Sequence, residues 1–107
     1  MSNFGLYGKF TVEESNRDVL ADILLEAAES MKSLDTCEVY IVSTSDDEPN
    51  AVYVFEVWDS EGAHQASLTL ESTQNLIKRA KPLITGAERI STLNTRGGKG
   101  VLGQKNA

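Results

Sequence analysis

Tyr53 to Leu70 reads YVFEVWDSEGAHQASLTL, and the way this stretch changes character at Asp59 organises the rest of the chain. Before that point, Val52-Tyr53-Val54-Phe55-Glu56-Val57-Trp58 is β-branched and aromatic, which suits a pleated surface and predicts a strand buried on at least one face. After it, Asp59 and Ser60 offer helix-capping oxygens, and Ala63 to Leu68 can continue as a helix. The strand therefore ends on a large aromatic, and within two turns the helix supplies an imidazole, His64, and a hydroxyl, Ser67. A chemical site is expected at that junction.

Upstream, Phe4 to Val12 alternates, with Phe4, Leu6, Phe10 and Val12 on one face and Tyr7, Lys9 and Thr11 on the other, as a first strand would. Ser15 with Asp18 resembles a capping box and opens a long amphipathic helix whose core stripe is Leu20, Ile23, Leu24, Ala27, Ala28, Met31 and Leu34. Cys37 to Ser43 is the next strand, closed by a polar turn over Ser45 to Asn50. Downstream, Glu71 to Lys81 places Leu76, Ile77 and Ala80 on one helical face, with Pro82 and Gly86 ending it. A last strand is expected from about Ala87 to Thr95.

The order β-α-β-β-α-β predicts an α+β, ferredoxin-like fold: a four-stranded antiparallel sheet with helices on one face. In the central hairpin both faces are apolar, Val39 and Ile41 against Tyr40 and Val42, and Val52 and Val54 against Tyr53, Phe55 and Val57. Helices can cover only one of them, so a homodimer packed sheet to sheet is expected. Residues 1–96 form the domain on this reading, and 97–107 a flexible, glycine-rich tail.

A chain of 107 residues with 40% hydrophobic and 24% charged residues suits one soluble domain. No run approaches the roughly 20 apolar residues of a membrane helix, and the start lacks a signal-peptide pattern, so a cytoplasmic protein is expected. A net charge of -6 argues against binding nucleic acid or anionic membrane through a basic surface. One cysteine, Cys37, and one histidine leave no disulfide framework and no Cys/His metal cluster.

The stretch Tyr53 to Leu68, with Leu76-Ile77 and Pro82-Leu83-Ile84 downstream, resembles the antibiotic biosynthesis monooxygenase domain family, which includes quinol monooxygenases. The resemblance spans about Phe4 to Arg96, and its diagnostic part is Glu56-x-Trp58 followed by five residues and His64. It implies a dimeric α+β barrel of two ferredoxin-like subunits, each with a pocket between sheet and helices. It also implies oxidation of phenolic, quinol or polycyclic aromatic substrates by molecular oxygen without flavin or metal, so no cofactor is expected. Many members carry a histidine about where Ser67 stands, and this chain does not. Relatives of the fold that degrade haem use a histidine at the positions held here by Ser67 and Leu68, which argues against haem.

His64 and Trp58 are the catalytic candidates. The unperturbed pKa of an imidazole lies near neutrality, which makes His64 the default base for a phenolic proton. Trp58 is a core residue on its own pattern, and the resemblance makes it a pocket wall. Val54, Glu56 and Ser67 are the expected substrate contacts. Glu56 would be costly to bury alone, so it reaches solvent, pairs with Arg89 or Lys78, or serves as the pocket base. Cys37, beside Asp35 and Glu38, is read as a small core residue rather than a thiolate. A binding module without catalysis, using the same pocket, is the alternative from another class.

Overall fold

The structure is a computed structural model and describes residues 3–100. Four strands, β1 (Asn3–Val12), β2 (Cys37–Ser45), β3 (Glu48–Trp58) and β4 (Ile84–Thr95), form one antiparallel sheet in the order β2-β3-β1-β4. Three helices, α1 (Arg17–Met31), α2 (Glu61–Ser67) and α3 (Glu71–Ala80), complete the α+β ferredoxin-like plan. The single second helix of the expected order is two short ones joined at Leu68-Thr69-Leu70.

The core forms where the stripe of α1 meets the even positions of β3. Leu20, Ile23 and Leu24 pack with Val12, Val52, Val54 and Ala80, and Phe10, Tyr40, Leu76 and Ile84 close around them. Leucine and isoleucine at three- and four-residue spacing give α1 one apolar side, and removing that side from water is what holds the helix to the sheet.

Several boundaries differ from the sequence expectation. A single 3-10 turn over Glu14–Asn16 precedes α1, so Ser15 lies inside that turn and no side chain caps the helix. At the other end α1 stops at Met31, and Leu34 follows in a turn, its N–H bonded to the Met31 carbonyl. The hairpin turn is Asp46-Asp47 rather than six residues, and Pro49 lies within β3. Proline is tolerated there because the pairing of β1 with β3 ends at Thr11 and Ala51, leaving that end of β3 free on one edge. Pro82 does end α3, in a 3-10 turn over Lys81–Leu83, whereas Gly86 belongs to β4, which begins at Ile84. Ile77 is exposed while its neighbours Leu76 and Ala80 turn inward.

Two details fix β1 against β4. A Cβ on Gly5 would meet Thr95 Oγ1 at 2.7 Å, so glycine permits the close approach of the strands. The register also slips between Tyr7 and Gly8: Gly8 faces Arg89 and Tyr7 faces Ser91, with Ile90 the extra residue of a bulge. The bulge keeps Arg89 on the helix side of the sheet and sends Ser91 and Leu93 to the other side.

That other side carries Val39, Ile41, Tyr53, Phe55 and Leu93, with Tyr7 stacked on Tyr53 at 6.0 Å between ring centroids. Ile41 is 51% exposed and Leu93 40%. Beyond β4, Gly97 and Gly98 adopt positive φ of 147° and 135°, and residues 101–107 of the expected tail lie outside the described residues. Among the described residues no helix is long and apolar enough to cross a membrane.

Candidate active site

A cavity of about 700 Å³ lies between the helix-facing side of the sheet and the helices. Its wall is mostly apolar, with Leu6, Phe10, Leu24 and Val54 among the lining residues, and this volume suits a small organic ligand. All five residues expected from sequence to form the site line it: Val54, Glu56, Trp58, His64 and Ser67.

Strand parity and one helix cap bring three of them together. Glu56 and Trp58 are two positions apart on β3 and so share its inner face. Ser60 caps α2, its Oγ accepting from the Ala63 N–H at 3.0 Å, which sets the helix that carries His64. The Trp58 Nε1–H donates to Glu56 Oε1 at 3.0 Å. His64 Nε2 lies 3.8 Å from the same oxygen, close enough for an ion pair and too far for a hydrogen bond. The imidazole also meets the Trp58 ring edge-on at 5.6 Å and the Phe4 ring at 5.9 Å.

His64 is only 7% exposed, and its buried Nδ1 has no hydrogen-bond partner among the described residues. Trp58 is fully buried behind the cavity wall, where its indole bonds Glu56 and its ring meets the imidazole edge-on. Ser67, also buried, donates its hydroxyl to the His64 carbonyl at 2.6 Å. That bond stays within the helix and fixes α2 rather than the imidazole, and the hydroxyl oxygen keeps acceptor capacity.

The ion pair of Glu56 with Arg89 or Lys78 does not form; its near partners are Trp58 and His64 instead. Burial pushes the Glu56 carboxyl above the usual carboxylate range, against the indole hydrogen bond and the charges of His64 and Arg89, which pull it down. Tyr40 stands opposite Glu56 across β2 and β3 and lines the same cavity. Burial, reinforced by the charge of Glu56, raises its phenol well above the ordinary tyrosine range, so it remains a donor. Sequence reasoning passed over Tyr40 because only the register shows which residue faces Glu56. Cys37, paired with Trp58 at the strand end, is half-buried and its thiol is pushed up to about 11 by burial and then by Glu56. Among the described residues no three His, Cys, Asp or Glu side chains converge as metal ligands would.

The sequence model of the antibiotic biosynthesis monooxygenases matches residues 4–79, which contain every residue of the Glu56, Trp58 and His64 cluster. The chain belongs to the antibiotic biosynthesis monooxygenase family. It is similar to a candidate antibiotic biosynthesis monooxygenase of this name from Chloroflexus aurantiacus, at 37% identity over 94% of this chain and 99% of that one, with a TM-score of 0.84. A family namesake from Caulobacter crescentus, at 20% identity over 90% of this chain and 92% of that one, shares the fold with a TM-score of 0.80. A conserved protein from Methanosarcina mazei does so as well, at 13% identity, 90% and 95% coverage and a TM-score of 0.78. Among proteins of curated function, none matches the chain in sequence.

Proposed function

We propose that this antibiotic biosynthesis monooxygenase family member oxidises a phenolic or quinol-type aromatic substrate with molecular oxygen. The observation that carries the reading is the shared oxygen of Glu56, held by Trp58 at 3.0 Å and facing His64 at 3.8 Å, on the wall of an apolar cavity. A carboxylate beside an imidazole can stabilise the charge that the imidazole gains on accepting a proton. The substrate hydroxyl gives its proton to this pair, and the resulting phenolate is electron-rich enough to reduce oxygen. One oxygen atom ends on the ring carbon as a quinone carbonyl, and the other leaves as water with the displaced ring hydrogen and the hydroxyl proton. The ring supplies all four electrons, so no external reductant enters the balance.

A homodimer belongs to the same proposal. The uncovered face of Ile41, Tyr53, Phe55 and Leu93 is apolar, and a second sheet of the same kind is the surface that matches it.

Oxygen uptake with a panel of quinols and naphthols tests the reaction. The expected result is uptake matched by quinone formation, lost in Glu56→Gln and His64→Ala. Ligands that bind and raise the melting temperature without oxygen consumption would replace the reading with that of a binding module.

A further inference from the structure

The cavity has a second polar end that the reaction does not use. Across the inner face of the sheet, one row of the register runs Val42, Val54, Gly8 and Arg89. Val54 is buried, Gly8 has no side chain, and Arg89 stands on the edge strand β4 at the far end of the row. Gly8 puts no side chain between Val54 and Arg89, and a Cβ there would meet the Glu88 carbonyl oxygen at 3.2 Å. All four of Val54, Gly8, Glu56 and Arg89 line the same cavity.

Charge sets this end apart. The chain carries -6 overall, yet Arg89 and Lys81, both exposed at the cavity wall where Glu88 also lies, make no ion pair among the described residues. Lys9, the other cation of the wall, is held by Glu48 at 3.2 Å.

Resting on the reading of the site as one for a phenolic substrate, we propose that the substrate is an aromatic hydroxy acid whose carboxylate is bound by Arg89, with Lys81 adding charge. Two strand spacings and one two-residue step separate the Glu56 and Arg89 Cα atoms by about 12 Å. A ligand that meets Glu56 or His64 through a hydroxyl and Arg89 through a carboxylate must therefore span the cavity, as a flat bicyclic ring with the two groups at opposite ends can. Arginine suits that second end because its planar fork binds a carboxylate through two parallel hydrogen bonds.

Trp58 is the only tryptophan, and its fluorescence reports on the cavity. The probes are a hydroxynaphthoate with its hydroxyl and carboxylate at opposite ends of the bicycle, and the naphthol that lacks the carboxylate. A charge-assisted pair predicts that the full chain binds the acid about tenfold or more tightly than the naphthol. Arg89→Ala should abolish that difference by weakening binding of the acid selectively, and Arg89→Lys should keep part of it. Equal affinities in the unaltered protein, no binding of either probe, or a preference that survives Arg89→Ala would each overturn the proposal. Oxygen uptake, recorded on the same samples, reads the catalytic proposal separately: selective acid binding without uptake leaves the carboxylate subsite standing and removes the chemistry.

Discussion

Trp58 holds Glu56 from two residues further along the same strand, its indole N–H 3.0 Å from the carboxylate oxygen that also faces His64. An indole N–H can only donate, so the bond favours the ionised carboxylate in a place where burial disfavours it. Trp58→Phe removes the donor and keeps the ring. The acid limb of the pH–rate profile should then move to higher pH, because the interaction lost was one that lowered the Glu56 pKa. Trp58→Ala should in addition destabilise the fold by about 3–5 kcal/mol, read from denaturant unfolding.

Glu56→Gln should stabilise the protein at neutral pH while abolishing turnover. The Glu56 pKa is raised in the folded state, so between its unfolded and folded values the folded protein holds the extra proton and stability falls as pH rises. Above both values the cost of the buried charge is fully present, and below both it is absent. The gain in melting temperature from Glu56→Gln should therefore be seen at neutral pH and vanish in acid.

His64→Ala should lower turnover by roughly 10²–10⁴-fold, the usual cost of losing a general base, with circular dichroism and oligomeric state unchanged. Full activity of this variant across neutral pH would transfer the base role to Glu56.

Cys37 offers a chemical report on Glu56. With its thiol pushed up to about 11, in part by the Glu56 charge, alkylation by iodoacetamide should be slow near neutrality and accelerate through the alkaline range. Removing that charge in Glu56→Gln should lower the thiol pKa and speed alkylation at a fixed pH. An unchanged rate would place the Glu56 charge out of reach of the thiol.

Phe55→Glu should convert a dimer into a monomer in sedimentation experiments, since a charge would enter the centre of the uncovered apolar face next to Ile41. Two forms with equal sedimentation would remove the sheet-to-sheet contact.

The strands and α1 were legible because their patterns are periodic and long, and alternation alone placed Val54, Glu56 and Trp58 on one face. The cap at Ser60 placed His64 as well. Local punctuation misled at three places: Ser15, Pro49 and Gly86 commonly end or begin elements, and here Ser15 lies within a 3-10 turn while Pro49 and Gly86 lie within strands. What no single segment shows is which residues meet across strands. Tyr40 faces Glu56 and Arg89 faces Gly8 only through the register, which is set by the whole sheet. The bond that replaced the expected ion pair of Glu56 was likewise hidden, because it depends on how an indole two residues away is turned.

The bulge at Ile90 decides which residues of β4 share a face. In a regular strand, Arg89 on the inner side would put Ser91 and Leu93 on the inner side too. The extra residue reverses that phase, so Thr92 and Asn94 join Arg89 on the inner side while Leu93 joins the outer one. Pairing Ile90 into the ladder would swap the sides of every β4 residue beyond it, taking Leu93 off the apolar face while leaving Arg89 in place.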